Sequence, residues 1–149
     1  MTAAARVPAV LRAAVDAVLA DWAWHLDHGE YDQVAELFTE DALFITGALE
    51  LRGRAAIKAR YTERTGTRST RHTYSGLRVS REGPGRLRAL STWVNYAVNG
   101  QVPVDDVGVY LVADFHDVLA WSASGDQWLV AERRIIPVFR DPSRAPMGA

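Results

Sequence analysis

The second half of this chain, from Arg71 onward, carries strand signals and no helical period. Four long segments, at about 70–82, 86–99, 104–122 and 127–139, are separated by Gly83-Pro84-Gly85, Asn99-Gly100 and Ser124-Gly125-Asp126. Short breakers of this kind reverse the chain, so successive long strands joined by them must pair as an antiparallel meander. Upstream the period is helical. Pro8 suits a first helical position, and Leu11, Val15, Val18, Trp22 and Leu26 recur three and four apart, which makes one apolar stripe ending near His28-Gly29. A second short helix is expected at about Tyr31 to Phe38, followed by strands at Ala42 to Thr46 and Leu49 to Gly53. A third helix is expected from Arg54 to Arg64, where Ile57 and Tyr61 stand four apart. Helices first and long strands afterwards predict an α+β fold, with the helices packed on one face of a curved antiparallel sheet.

The chain has 149 residues, enough for one domain with a real core, and its end from Asp141 to Ala149 reads as a loose tail. Seventeen basic against 18 acidic residues leave a net charge of -1, which removes the electrostatic case for binding nucleic acid or an anionic membrane. Arg52, Arg54, Lys58, Arg60, Arg64, Arg68 and Arg71 form a local basic stretch. It reads as a solvated helix face and loop, with the steering of an anionic substrate as its other use. Without cysteine there is no disulfide, thiol nucleophile or thiolate metal site. Asp16 and Asp21 interrupt the Ala-rich first helix before a bilayer-length apolar run accumulates, so a soluble, cytoplasmic protein is expected. His25 and His28 have the spacing of a ligand pair but no third ligand, and neither a phosphate-cradling glycine loop nor a serine elbow occurs.

Two residues stand out for proton chemistry. Asp27 falls where the first helix breaks, and His72 opens a strand within Arg71-His72-Thr73-Tyr74-Ser75-Gly76. A carboxylate can hold an imidazole in one tautomer, and an imidazole takes and returns protons near neutral pH. The plainer roles are a helix-end turn for Asp27 and a hydrogen-bonded core or surface residue for His72. Around them, Trp24, Tyr61, Tyr74, Trp93, Asn95 and Tyr110 are expected to line a substrate pocket. Trp93 and Asn95 fall on one face of their strand by alternation, and the tyrosines are candidate phenol donors.

Four pieces in order carry a family resemblance: Leu26-Asp27-His28-Gly29-Glu30-Tyr31-Asp32, Leu37-Phe38-Thr39-Glu40-Asp41-Ala42, Arg71-His72-Thr73, and Gly125-Asp126-Gln127-Trp128 running into Glu132-Arg133-Arg134. The sequence resembles the nuclear transport factor 2-like superfamily, in its SnoaL-like polyketide cyclase and scytalone-dehydratase-like branch, from about Leu11 to Val138. The resemblance implies a cone-shaped fold enclosing a deep pocket, with no metal and no organic cofactor. It also implies an acid/base role for Asp27 and His72. Departures are clear: Leu26 stands where those enzymes often carry a tyrosine, Thr46 where a second phenol is expected, and no histidine lies near Val107 to Val109. His116, on the same expected strand, is too distant by alternation to replace it.

These features point to a cofactor-independent dehydratase, isomerase or cyclase acting on a mostly apolar cyclic or polyketide-like molecule. The alternatives are an epoxide-opening cyclase or hydrolase, and a non-catalytic ligand-binding or structural small-subunit module. A carboxylate of Asp27 within hydrogen-bond reach of His72 separates the catalytic class from the binding class. The outward sheet face, with Val94, Val98, Val109 and Leu111, would leave an apolar patch larger than monomers tolerate, so a homodimer packed through the sheet is expected. Light scattering at micromolar concentration should then report twice the 16.4 kDa chain mass. A monomer alone would refute it.

Overall fold

The computed structural model of the protein describes residues 6–147. Helix α1 (Ala9–Asp27) is followed by α2 (Tyr31–Glu36), strands β1 (Phe38–Thr46) and β2 (Leu49–Arg52), and helix α3 (Arg54–Thr62). Four long strands come next: β3 (Ser69–Gly83), β4 (Arg86–Val98), β5 (Val109–Ser122) and β6 (Gln127–Arg140). All six strands form one sheet in the order β2-β1-β6-β5-β4-β3. The expected meander runs antiparallel from β3 to β6, and β1 then adds to β6 in parallel, a pairing that no short-range signal foretold. Register shifts within β3, β4, β5 and β6 bend the sheet around the helices, as bulges do. Gly76 sits in the β3 shift with φ +64°, a left-handed conformation that a side chain would strain.

Helix α1 lies antiparallel along β3. Arg12 donates to the Leu77 carbonyl at 2.6 Å, the Tyr74 hydroxyl donates to Asp16 Oδ1 at 2.7 Å, and Asp27 meets Thr70 and His72. The fifteen helical steps from Arg12 to Asp27, at about 1.5 Å each, span about 22 Å, and the seven strand steps from Leu77 to Thr70, at about 3.4 Å each, span about 24 Å, so the last turn of α1 arrives at the start of β3. The stripe Val15, Val18, Leu19, Trp22 and Leu26 packs on Leu77, Trp93 and Phe115. Each such side chain taken from water contributes about 1.5–3 kcal/mol.

One buried ion pair joins β5 to β6 inside this core. Asp117 and Arg133 are directly opposed, both fully buried, and Arg133 donates from Nε and Nη2 to the two carboxylate oxygens at 2.8 and 2.9 Å. The guanidinium lies 4.4 Å from the Trp22 ring centre and 5.0 Å from that of Phe115, so aromatic faces replace the water it has lost.

Three expectations are corrected. The strand expected from 104 begins at Val109 instead, and Asp106 in the preceding loop is engaged by Arg144 of the C-terminal segment. The tail from Asp141 is not loose as far as Met147. It forms a short 3-10 turn, Pro142–Arg144, and receives Arg68 on the Arg144 carbonyl and Asn99 on the Ala145 carbonyl, both at 2.8 Å. Leu111 faces the helices rather than outward, because it alternates in step with Ala113 and Phe115 on the cavity side of β5. Among the described residues no helix is long and apolar enough to cross a membrane.

Asp117→Asn should cost about 3–5 kcal/mol in urea unfolding, because it keeps the volume but leaves the buried guanidinium uncompensated. A loss below about 1 kcal/mol would show that the pair does not support the β5–β6 core.

Candidate active site

Asp27 is the last residue of α1, and His72 is the fourth residue of β3. The carboxylate receives three donors from β3. The Thr70 hydroxyl donates to Oδ1 at 2.7 Å, His72 Nδ1 to Oδ1 at 2.6 Å, and the His72 backbone N–H to Oδ2 at 2.7 Å. Both side chains of the pair are buried, at 7% exposure for His72 and 5% for Asp27. Burial pushes the Asp27 carboxyl up, but the His72 hydrogen bond and charge, with Thr70 and the His72 backbone N–H, outweigh it and hold the group below the ordinary carboxylate value. An ionised carboxylate only accepts, so the Nδ1 proton stays on the imidazole and Nε2 keeps a free lone pair.

His72 lines a cavity of about 330 Å³ between the sheet and the helices. The imidazole sits edge-on to Trp22, with ring centres 5.3 Å apart, and Trp22 meets Trp93 at 5.3 Å and Phe115 at 5.7 Å. Trp93 donates its indole N–H to Ser91 Oγ at 2.8 Å, whereas Trp22 and Asn95, which also line the cavity, carry an indole N–H and an Oδ1 that are buried with no partner. Such atoms cost free energy until a ligand satisfies them.

Of the residues singled out in the sequence, Tyr61, Trp93, Asn95 and Tyr110 line this cavity together with His72. Trp24 does not. It is 61% exposed and stacks on the His28 ring at 4.1 Å, because two residues along a helix from Trp22 is about 200° of rotation away from the core. Tyr74 does not reach the cavity either. Its ring backs Trp93 at 4.6 Å, and its hydroxyl is held by Asp16, with burial first and that carboxylate second keeping the phenol protonated. Thr46 and Leu26 do line the wall, at the positions noted for missing phenols.

Several lining residues were not among the pocket residues expected from the sequence. Thr70 holds the carboxylate from two residues before His72, on the same strand face. Arg60, Arg64, Arg68 and Arg140 all border the cavity, and so do Ala145 and Pro146 of the C-terminal segment. The basic stretch was therefore not wholly a solvated face. Arg60 and Arg64 follow Ile57 and Tyr61 by three residues, and that spacing was the available signal. Among the described residues no group of three or more potential ligands is placed to hold a metal ion.

A family model described as a SnoaL-like domain matches residues 9–134. The chain belongs to the SnoaL-like domain family. The match begins at the first turn of α1 and ends just after Arg133, so it contains both halves of the Asp27–His72 contact. ActVI-ORFA from Streptomyces coelicolor is similar over 85% of this chain and 96% of its own, at 23% identity and TM-score 0.75. A Catenulispora acidiphila protein shares 25% identity over 87% of this chain and 95% of its own, TM-score 0.74, in a structure with S-DNPA bound. A scytalone dehydratase candidate from Novosphingobium aromaticivorans covers 94% of this chain and 95% of its own, at 20% identity and TM-score 0.75. These likenesses establish the nuclear transport factor 2-like cone for this SnoaL-like domain. No match was found among curated proteins.

The depressed Asp27 group has a defined stability signature. Its folded pKa lies below the unfolded value of about 3.9, so its contribution is complete above that value and is lost as pH falls through the folded one. The unfolding free energy of the wild type relative to Asp27→Asn should shrink as pH falls below about 4. A difference that stays flat to about pH 3 would mean that β3 does not hold the carboxylate in its charged form.

Proposed function

We propose that this SnoaL-like domain is a cofactor-independent acid/base enzyme, a dehydratase, isomerase or cyclase, acting on a cyclic small molecule. The observation that carries this is the 2.6 Å contact between His72 Nδ1 and Asp27, which leaves Nε2 as the basic nitrogen on a cavity wall. A purely binding pocket has no need of a buried carboxylate fastened by three donors behind an imidazole. The likeness to a protein named as a scytalone dehydratase candidate supports the same class.

In this reading His72 Nε2 removes a proton from a carbon next to a substrate carbonyl, and the electron pair moves onto the carbonyl oxygen as an enolate. Asp27 stabilises the imidazolium, and the same proton then goes to a departing hydroxyl, which leaves as water, or to another carbon. The unpartnered Trp22 indole N–H is the donor available for the substrate oxygen beside the imidazole. General acid–base catalysis supplies about 10²–10⁴-fold, so the substrate C–H must already be acidified by its own carbonyl. Trp22, Trp93 and Phe115 offer flat apolar walls that suit a fused ring. We place the second copy of a homodimer on the outward face of the sheet, where Ile136 is 44% exposed and Phe139 69%.

Deuterium exchange into β-tetralone, followed by NMR in heavy water, tests the proton transfer without the natural substrate. His72→Ala should slow enzyme-dependent exchange by about 100-fold or more, and Asp27→Asn should slow it by at least about tenfold. Because the two residues act as a unit, the double variant should be little slower than His72→Ala alone. Multiplying losses would separate their roles, and wild-type exchange in either single variant would end the proposal.

A further inference from the structure

Among the described residues, the cavity that holds His72 is bordered by four arginines and by no acidic side chain. Arg60, Arg64 and Arg68 are half-buried and Arg140 is exposed, and among the described residues none of the four is ion-paired. Two other shielded arginines have a carboxylate partner, while the half-buried Arg54 is held by the Phe38 carbonyl alone. Arg133 has Asp117, and Arg144 has Asp106 at 3.0 Å. Like charges gathered at a partly desolvated wall without a counterion are unfavourable unless an anion completes them.

Arg68 is held ready for such an anion. Its Nη1 donates to Asn99 Oδ1 and to the Arg144 carbonyl, both at 2.8 Å, and its guanidinium lies 5.0 Å from the centre of the Tyr110 ring. The opposite edge, Nε and Nη2, is buried and has no partner. Arg133 uses that same edge, Nε and Nη2, to grip the Asp117 carboxylate. Arg64 repeats the arrangement, its Cζ 4.9 Å from the Tyr61 ring centre and its Nε unpartnered. Burial, and then the neighbouring charge of Arg64, bring Arg68 down to about 10, so it remains a cation at neutral pH.

We propose that the substrate carries a carboxylate and that Arg64, Arg68 and Arg140 bind it across the cavity from His72. The inference rests on the acid/base reading only in taking both ends of the cavity to hold one molecule. The sheet register sets the span. His72 pairs with Asn95, Asn95 with Leu111 and Leu111 with Arg140, so the imidazole and the Arg140 guanidinium start from one row across four strands. Three strand spacings separate their backbones by roughly 14 Å. Both side chains reach inward from that row, so one small cyclic acid can meet both ends. The apolar walls hold the ring, and the arginines decide which end enters first, which fixes the carbon presented to Nε2.

The test compares naphthylacetate with naphthylacetamide, a neutral ligand of the same shape, by titration calorimetry at low salt. The acid should bind at least about tenfold more tightly, and added sodium chloride should weaken the acid alone. Arg64→Met and Arg68→Met should each reduce acid affinity by about 10–100-fold and leave amide affinity within about twofold. Arg64→Lys should recover part of the loss. Arg140→Met, at an exposed site that does not endanger folding, should reduce the same preference. Equal affinity for the two ligands, binding of neither, or an undiminished acid preference in all three Met variants would overturn the proposal. The two readings fail separately. Loss of acid preference with intact His72-dependent exchange of β-tetralone removes the carboxylate site alone, and wild-type exchange in His72→Ala with intact acid preference removes the proton-transfer reading alone.

Discussion

The Asp27 carboxylate is the joint on which the site depends. It closes the last turn of α1 against the first residues of β3, and its two oxygens take a hydroxyl, a ring N–H and a backbone N–H from a three-residue stretch of strand. One group therefore docks the helix layer on the sheet, sets the depth of the cavity floor and selects the histidine tautomer. Its charge is favourable only while β3 is in place, and β3 presents those donors only while α1 lies along it.

Beneath that joint the protein keeps its charges in two different states. Arg133 lies against Trp22 and Phe115 with its charge cancelled by Asp117, so the core beside His72 holds a cation with no net field. The arginines at the cavity wall have no such cancellation. Aromatic rings do similar work in both places, since Tyr61 and Tyr110 support Arg64 and Arg68 as Trp22 supports Arg133. The difference is the missing carboxylate, and that contrast within one molecule makes the open end a recognition element. The C-terminal segment belongs to it, because its carbonyls fix Arg68 and Asn99 while Ala145 and Pro146 close the wall.

Helix and strand order were legible in the residues because local period and breakers decide them. The apolar stripe of α1 and the glycine-marked turns at Gly83-Pro84-Gly85 and Ser124-Gly125-Asp126 act over a few residues. The candidates Asp27 and His72 were legible too, from side-chain chemistry at a helix break and a strand start. Trp24 and Tyr74 were misplaced for a shared reason. An aromatic near a site is as readily packed behind the wall or turned to solvent as placed on it, and only the rotation of α1 and the pleat of β3 choose.

What the sequence determined by itself, then, is the set of elements, their antiparallel succession and the two groups able to exchange a proton. Tertiary structure alone decided that β1 joins β6, that the matched lengths of α1 and β3 bring residues 27 and 72 together, and that scattered arginines share one cavity. The physical reason is range. Periodicity, capping and turn chemistry act over a few residues and can be read in order. Bulges that reset alternation, parallel pairing across the chain and the gathering of like charges depend on contacts between residues far apart in sequence, which become neighbours only when the sheet has closed around the helices.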